Sequence, residues 1–113
     1  MTTARPLVRR KIVDVASSML DGPTDLLEGC RTIVKLRGNL SEPDLYDPDL
    51  LFLVAVESEL DDVPVGAARQ HWAPEALAEK DEKKSRYIAS AREEIQRSCR
   101  ALILRWASEF QNR

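Results

Sequence analysis

The side chains that could take part in chemistry are concentrated between residues 57 and 72. This segment contains Glu57, Glu59, Asp61, Asp62, Arg69, His71 and Trp72. The carboxylates follow directly on the apolar run of residues 50–56. At the C-terminal end of a helix they face the negative end of the dipole, which costs about a few tenths of a kcal/mol each. A local rule broken next to the core often marks a functional site, so this segment is the first candidate.

One interpretation of the segment is catalysis. His71 would act as a general base, oriented by Glu59 or Asp61. The sequence offers no further support, because it has no glycine-rich phosphate loop and no histidine beyond His71 to pair with a cysteine nucleophile. We therefore expect that the chain is not an enzyme.

A second interpretation is a metal site. Glu57 and Asp61 are four residues apart and share one helical face, so with Glu59 or Asp62 they could bind a divalent cation. The spacing is not that of an EF-hand loop, and no Glu-x-x-His pair is present. One histidine and two cysteines are also too few for a typical zinc site. We expect no metal and no other cofactor.

Two interpretations remain open for residues 57–72. In the structural one, Asp61 or Asp62 caps a short helix entered through Pro64, other acids pair with Arg69, Trp72 is core and His71 lies on the surface. In the other, the segment binds a protein partner. Tryptophan and arginine dominate the energetics of interfaces, and an acidic strip complements a basic partner.

The elements that must position this segment are predicted to be helices. Low aromatic content, few glycines and many Ala, Leu, Glu, Lys and Arg residues favour helix over sheet. A length of 113 residues fits one domain. The predicted fold is all-α: a single-domain antiparallel bundle of four to five helices over residues 1–113, with a long C-terminal helix.

The first half of the chain predicts a helical hairpin. One helix begins at Pro6 and ends at Asp21, before a Gly-Pro pair that stops it. The next begins at Pro23 or Thr24 and ends at Gly38. Because the link between them is so short, the two helices should lie antiparallel.

The second half holds a run that fits two kinds of element, and the longest predicted helix. Residues 50–56 are apolar on every side, which fits either a helix or a buried strand. We favour a helix with Asp47 as N-cap, because an Asp-Pro pair precedes the run and no partner strand is evident. A helix apolar all round should be central. From Pro74 to Phe110 we predict one helix, which either projects into water or kinks at residues 79–84, where apolar residues are missing.

Charge and hydropathy exclude several partners. The net charge is −2, so nothing attracts nucleic acid or anionic lipid globally. The first two helices resemble a helix-turn-helix in outline, but Asp25 and Glu28 would repel phosphates at the start of the second. A basic cluster near the start is interpreted as a solvated helix face rather than a phosphate site; it contains Arg5, Arg9, Arg10 and Lys11.

We predict a cytoplasmic protein. The N-terminus lacks the apolar core of a secretory signal, and the run of residues 50–56 is too short to span a bilayer. Cys30 and Cys99 lie on predicted apolar helix faces, where free thiols act as small core side chains.

Two stretches of the sequence resemble parts of known domains. Ser58-Glu59-x-Asp61-x-x-Pro64-x-Gly66-x-x-Arg69-x-x-Trp72 resembles a signature of small bacterial helical domains of unknown function, although Leu60 stands where a small hydroxyl residue is expected. Residues 99–103 are similar to their closing helix. The resemblance implies a fold and a compartment, not a reaction. In size and composition the chain also resembles immunity proteins that neutralise bacterial toxins.

These considerations predict a protein partner, most concretely a basic toxin domain. Changing Asp61 and Asp62 to Lys should then slow association and leave the fold intact. The alternative is a homodimer or other homo-oligomer formed through the C-terminal helix, where Trp106 and Phe110 are very apolar for a free surface.

Overall fold

Four α-helices and two short 3₁₀-helices make up the described part of the chain. The computed structural model describes residues 4–107, with side chains from Leu7 onward. The α-helices are α1 (Ala4–Asp21), α2 (Leu26–Arg37), α3 (Pro48–Glu59) and α4 (Pro74–Trp106), and the 3₁₀-helices are Asp44–Tyr46 and Gly66–His71. Residues 4–107 contain no strand. The predicted all-α bundle with a long C-terminal helix is confirmed.

The four α-helices pack in a ring around one core. α1 packs on α2 and α4, and α3 packs on the same two helices. The expectation that α3 is central is wrong. Leu50, Leu53 and Val56 face the core, whereas Leu51 and Ala55 on the opposite face are exposed. A folded surface always includes some apolar atoms, so a helix that is apolar all round does not require a central position.

Helix boundaries follow local capping chemistry. α3 begins as predicted: the Asp47 carboxylate accepts hydrogen bonds from the backbone N–H groups of Asp49 and Leu50, and residues 50–56 are helical. The predicted start of α2 at Pro23 or Thr24 is wrong. Asp25 is its N-cap and accepts from the N–H groups of Leu27 and Glu28, both at 3.1 Å. α1 begins at Ala4, two residues before the predicted Pro6.

The core contains both cysteines as free thiols. Cys30 and Cys99 are fully buried, as predicted. Burial raises the pKa of Cys30 to about 12 and that of Cys99 to about 11. The Sγ of Cys99 lies 4.0 Å from the Sδ of Met19. These thiols are neutral at physiological pH and act as small apolar side chains.

α4 is one unbroken helix, and the alternative of a kink at residues 79–84 is wrong. At about 1.5 Å per residue, its 33 residues account for the 50 Å length of the molecule. The missing apolar residues have a different explanation. Lys80, Asp81, Lys83 and Lys84 form ion pairs with residues that precede α4 in the chain.

The opposite end of the bundle is closed by an ion pair whose carboxylate is buried. Arg9 donates from Nε and Nη2 to the two carboxylate oxygens of Asp44, each at 2.7 Å. Its guanidinium also lies 5.2 Å from the centroid of the Trp106 ring. The interpretation of the basic cluster as a solvated face is therefore wrong for Arg9, although Lys11 is exposed. The Arg5 side chain lies outside the described part.

Candidate functional site

Residues 60–72 form the connection from α3 to α4. Leu60, Val63 and Pro64 are buried and fix its first half to the bundle. Gly66 turns the chain with a φ of +60°, a conformation that suits glycine. Gly66 is also the first residue of the second 3₁₀-helix, whose N-cap is Val65, with no side-chain hydrogen bond. The expectation that Asp61 or Asp62 caps a short helix here is therefore wrong.

Asp62 is tied to α4 by two lysines. Lys80 Nζ donates to one carboxylate oxygen at 2.6 Å, and Lys83 Nζ donates to the other at 2.8 Å. These hydrogen bonds hold the pKa of Asp62 well below its usual range. The two lysines are three residues apart and lie on one face of α4. Asp62 therefore serves as an anchor for the loop rather than as a free carboxylate.

Arg69 forms a second tie to α4. Its Nη1 and Nη2 donate to the two carboxylate oxygens of Asp81 at 2.8 and 2.9 Å. The expectation that Arg69 pairs with acids of residues 57–62 is wrong. The bidentate geometry fixes the orientation of both side chains, so the second 3₁₀-helix has a defined position over the start of α4.

Trp72 borders a cleft. The structural interpretation placed it in the core, and that expectation is wrong. Its exposed fraction is 38%. The ring centroid lies 5.9 Å from Lys80 Nζ, within range of a cation–π interaction. We call the adjoining space, of about 530 Å³, the Trp72 cleft. Its walls are Arg31, Lys35, Asp61, Asp62, Val63, Pro64, Val65, Ala68 and Trp72.

The remaining acids divide into one that is paired and two that are not. Glu57 is half-buried, and its Oε2 lies 3.7 Å from Arg31 Nε. The same arginine donates from Nη2 to the carbonyl oxygen of Leu60 at 2.6 Å. Glu59 and Asp61 are exposed, and within residues 4–107 neither forms an ion pair. They are the carboxylates of this segment that a partner can reach.

His71 lies on the surface, as the structural interpretation expected. Among the described residues, no hydrogen bond joins it to Glu59 or Asp61, so the geometry provides no acid–base pair. The same part of the chain holds no group of three His, Cys, Asp or Glu side chains placed to bind a metal.

Sequence reasoning missed the basic side of this site. Arg31 and Lys35 come from α2, and Lys80 and Lys83 come from α4. One signal was present: apolar residues are absent from residues 79–84, which indicates that this part of α4 contacts polar groups. Nothing in the spacing of α2 indicated that Arg31 and Lys35 face the loop.

No family model, curated protein or solved structure matches this chain. Within residues 4–107, no helix is both long enough and apolar enough to cross a membrane. The resemblance of residues 58–72 to small bacterial helical domains stays a prediction, and the site is interpreted from its own geometry.

Proposed function

We propose that this chain is a non-catalytic protein-binding module and that the Trp72 cleft is its binding surface. The observation that carries the proposal is Trp72 itself, a large aromatic side chain that is 38% exposed on a segment fixed by the Asp62 and Arg69 ion pairs. Exposed tryptophans are typical anchors of interfaces. A side chain that is already held in place loses little entropy on binding.

The charge of the surface favours a basic partner. Glu59 and Asp61 are exposed and unpaired within the described residues, and Asp61 is also part of the cleft wall. A partner with complementary charge would be steered to this surface. The concrete form of the proposal is an immunity protein that neutralises a basic toxin domain by steric and electrostatic blockade, with no chemistry of its own.

We place this function in the cytoplasm. Cys30 and Cys99 are both free thiols in the structure. Free thiols are the usual state of cysteines in that reducing compartment.

Co-expression tests the proposal. The products of the genes next to this chain's own gene are expressed alone and together with it. We expect one product that is toxic alone, harmless with this chain, and recovered with it in equal amounts. Trp72→Ala should abolish both rescue and recovery. Tyr46→Ala is the matched control, because Tyr46 is an exposed aromatic residue at the opposite end of the bundle.

Either of two results would contradict the proposal. One is that no neighbouring product is toxic and none forms a complex. The other is a toxic partner that binds the Trp72→Ala variant as tightly as the original chain.

The ion pairs of Asp62 make the replacement of Asp61 and Asp62 by Lys unsuitable as a test of charge complementarity. Asp62→Lys would place a third cation beside Lys80 and Lys83 and loosen the loop, so Glu59→Lys with Asp61→Lys is the better variant. It should slow association on the order of tenfold and leave dissociation nearly unchanged. Asp14→Lys with Glu93→Lys makes the same change in net charge at exposed positions away from the cleft. Equal effects of the two double variants would remove the proposed role of Glu59 and Asp61.

Homo-oligomerisation is a second candidate, favoured by Leu104, which is 80% exposed on α4. The earlier reason for it is partly wrong: Trp106 is only 5% exposed and packs within its own chain. Phe110 lies outside the described residues. Light scattering decides this point, since a monomer at all concentrations removes the candidate and a dimer lost in Leu104→Arg supports it.

A further inference from the structure

Three sulfur atoms meet in the core between α1, α2 and α4. Apart from Met1, the chain has three sulfur-containing side chains, which are Met19 on α1, Cys30 on α2 and Cys99 on α4. Cys30 and Cys99 are fully buried, and Met19 is 3% exposed. All the sulfur-containing side chains of residues 4–107 therefore belong to one apolar core.

The Met19 thioether lies between the two helices that carry the thiols. Its Sδ is 4.0 Å from the Sγ of Cys99 on α4. On the other side it lies so close to α2 that a Cβ atom built on Gly29, the residue before Cys30, would overlap it. Burial and the negative charge of a Cys99 thiolate both raise the pKa of Cys30, so the two thiols are close enough to interact through the core.

This set of donors favours a soft cation. Thiolate and thioether sulfurs select Cu(I) over hard cations such as Mg²⁺ and Ca²⁺. With metal–sulfur bonds of about 2.3 Å, as in zinc thiolate sites, two sulfurs on one ion lie at most about 4.6 Å apart. The 4.0 Å between Met19 Sδ and Cys99 Sγ satisfies this limit. Structural zinc needs four ligands, and in residues 4–107 no group of three His, Cys, Asp or Glu side chains is placed to add them.

A second cleft leads to the thioether. A space of about 440 Å³ opens between the α1–α2 turn and α4, and Met19 is part of its wall. A metal site needs an entry path, and Met19 connects this space to the two buried thiols. Burial raises the pKa of Cys99 and the charge of Arg100 opposes that rise, so a cation outside the core partly balances a thiolate within it.

We propose that Met19, Cys30 and Cys99 form a three-sulfur site for one Cu(I) ion. Two S–H bonds are exchanged for two copper–thiolate bonds, the two protons pass to the solvent, and no electron is transferred. The site departs from the expectation that the chain binds no metal. It is independent of the proposed function, because none of the three residues lines the Trp72 cleft.

Competition with a chromogenic Cu(I) chelator tests the proposal on the full, reduced chain in the absence of oxygen. We expect the chain to retain one ion per molecule and to show a thiolate-to-copper charge-transfer band in the ultraviolet. X-ray absorption should give three sulfur neighbours and no nitrogen. The unfolding temperature should rise with Cu(I) concentration, because a ligand that binds only the folded state stabilises it.

Variants of the sulfur side chains sharpen the test. Met19→Leu nearly preserves volume and should weaken Cu(I) binding by at least about tenfold, since even the outer partners of metal ligands are worth about 10–100-fold in affinity. It should also reduce the sulfur neighbours to two. Cys99→Ser should abolish retention of the ion. Ile95→Val is the matched control: Ile95 is fully buried on α4 and its replacement removes no donor, so affinity should not change. Circular dichroism checks that each variant is helical.

Three results would overturn the proposal. The first is a Cys99→Ser variant that is helical and retains the ion as well as the original chain. The second is an affinity and a sulfur count unchanged by Met19→Leu, which would leave the thioether outside the site. The third is an unfolding temperature lowered by Cu(I), which would show that the ion binds thiols exposed by unfolding.

Discussion

At the scale of single residues, Gly29 sets how closely α1 and α2 approach. A Cβ atom at this position would overlap Cγ and Sδ of Met19, a residue that is only 3% exposed. The overlap involves Cγ as well as Sδ, so turning only the terminal methyl group does not relieve it, and the buried Met19 side chain would have to shift as a whole. The glycine is therefore a packing requirement of this helix pair.

We predict that Gly29→Ala destabilises the fold. Overpacking costs about 1–3 kcal/mol, and the better helix propensity of alanine returns up to about 1 kcal/mol. The net loss in free energy of unfolding should be up to about 2 kcal/mol, measured by urea denaturation. At Gly38 the nearest atom to an added Cβ is 3.4 Å away, so Gly38→Ala is the control and should be nearly neutral. An equal loss in both variants would contradict the packing argument.

Asp25 links the start of α2 to α4. Burial alone would raise the pKa of its carboxyl, but hydrogen bonds from Lys84 and from the N–H groups of Glu28 and Leu27 together hold the pKa below its ordinary value of 3.8. A carboxyl whose pKa is lower in the folded state stabilises the fold above the unfolded pKa. That contribution is lost as the pH falls below about 3.8 towards the folded value.

Asp25→Asn should therefore reduce the pH dependence of stability. Asparagine caps helices about as well as aspartate, so α2 is kept while the titrating group is removed. The decrease in unfolding free energy from about pH 4 to pH 2 should be smaller in the variant than in the original chain. Asp14→Asn, at an exposed position of α1, is the comparison. If Asp25→Asn leaves the pH dependence of the unfolding free energy unchanged, the Asp25 carboxyl does not contribute to it.

At the scale of elements, sequence predicted what local chemistry determines. Asp47-Pro48 indicated the start of α3 because capping involves only neighbouring residues. Residues 60–72 were predicted poorly because long-range ion pairs fix them: 18 and 21 residues separate Asp62 from its lysine partners. Periodicity shows which face of a helix is apolar, but it does not show which distant charges will meet. The sequence therefore located the acidic and aromatic residues of the site, within residues 57–72. It did not locate the basic residues of α2 and α4 that lie beside them.

The second 3₁₀-helix should open locally when its tie to α4 is cut. Arg69→Gln removes the bidentate pair with Asp81 and leaves the buried residues Val63 and Pro64 in place. We expect amide hydrogen exchange across Gly66–His71 to rise by up to about fivefold, with exchange in the core of α2 unchanged. Arg97→Gln, which removes an exposed pair with Glu94 on α4, is the control. A uniform increase along the chain would contradict a local role.

At the scale of the whole molecule, the Arg9–Asp44 pair ties α1 to the connection between α2 and α3, and Trp106 of α4 packs against the same arginine. Asp44 is 6% exposed. Replacing its charged carboxylate weakens both hydrogen bonds from the Arg9 guanidinium, whose side chain is only 14% exposed. The contact joins α1, the first 3₁₀-helix and the end of α4.

Asp44→Asn should destabilise the molecule by about 1–3 kcal/mol, the range for weakening hydrogen bonds between charged groups. Asp49→Asn is the control. Its partner Arg105 is 42% exposed and keeps its second partner Asp47. The loss in unfolding free energy should therefore stay below about 1 kcal/mol. Thermal unfolding of both variants measures the difference. Equal effects would show that burial of the Arg9 pair adds nothing.

The two ends of α4 should respond differently to ionic strength. The ties that hold residues 62–72 over α4 are exposed ion pairs, and the screening length falls from about 10 Å at 0.1 M salt to about 3 Å at 1 M. The apolar core does not weaken in the same way. Concentrated salt should therefore free Trp72 from its fixed position while the bundle stays folded, so the cleft can be loosened reversibly by the solvent alone.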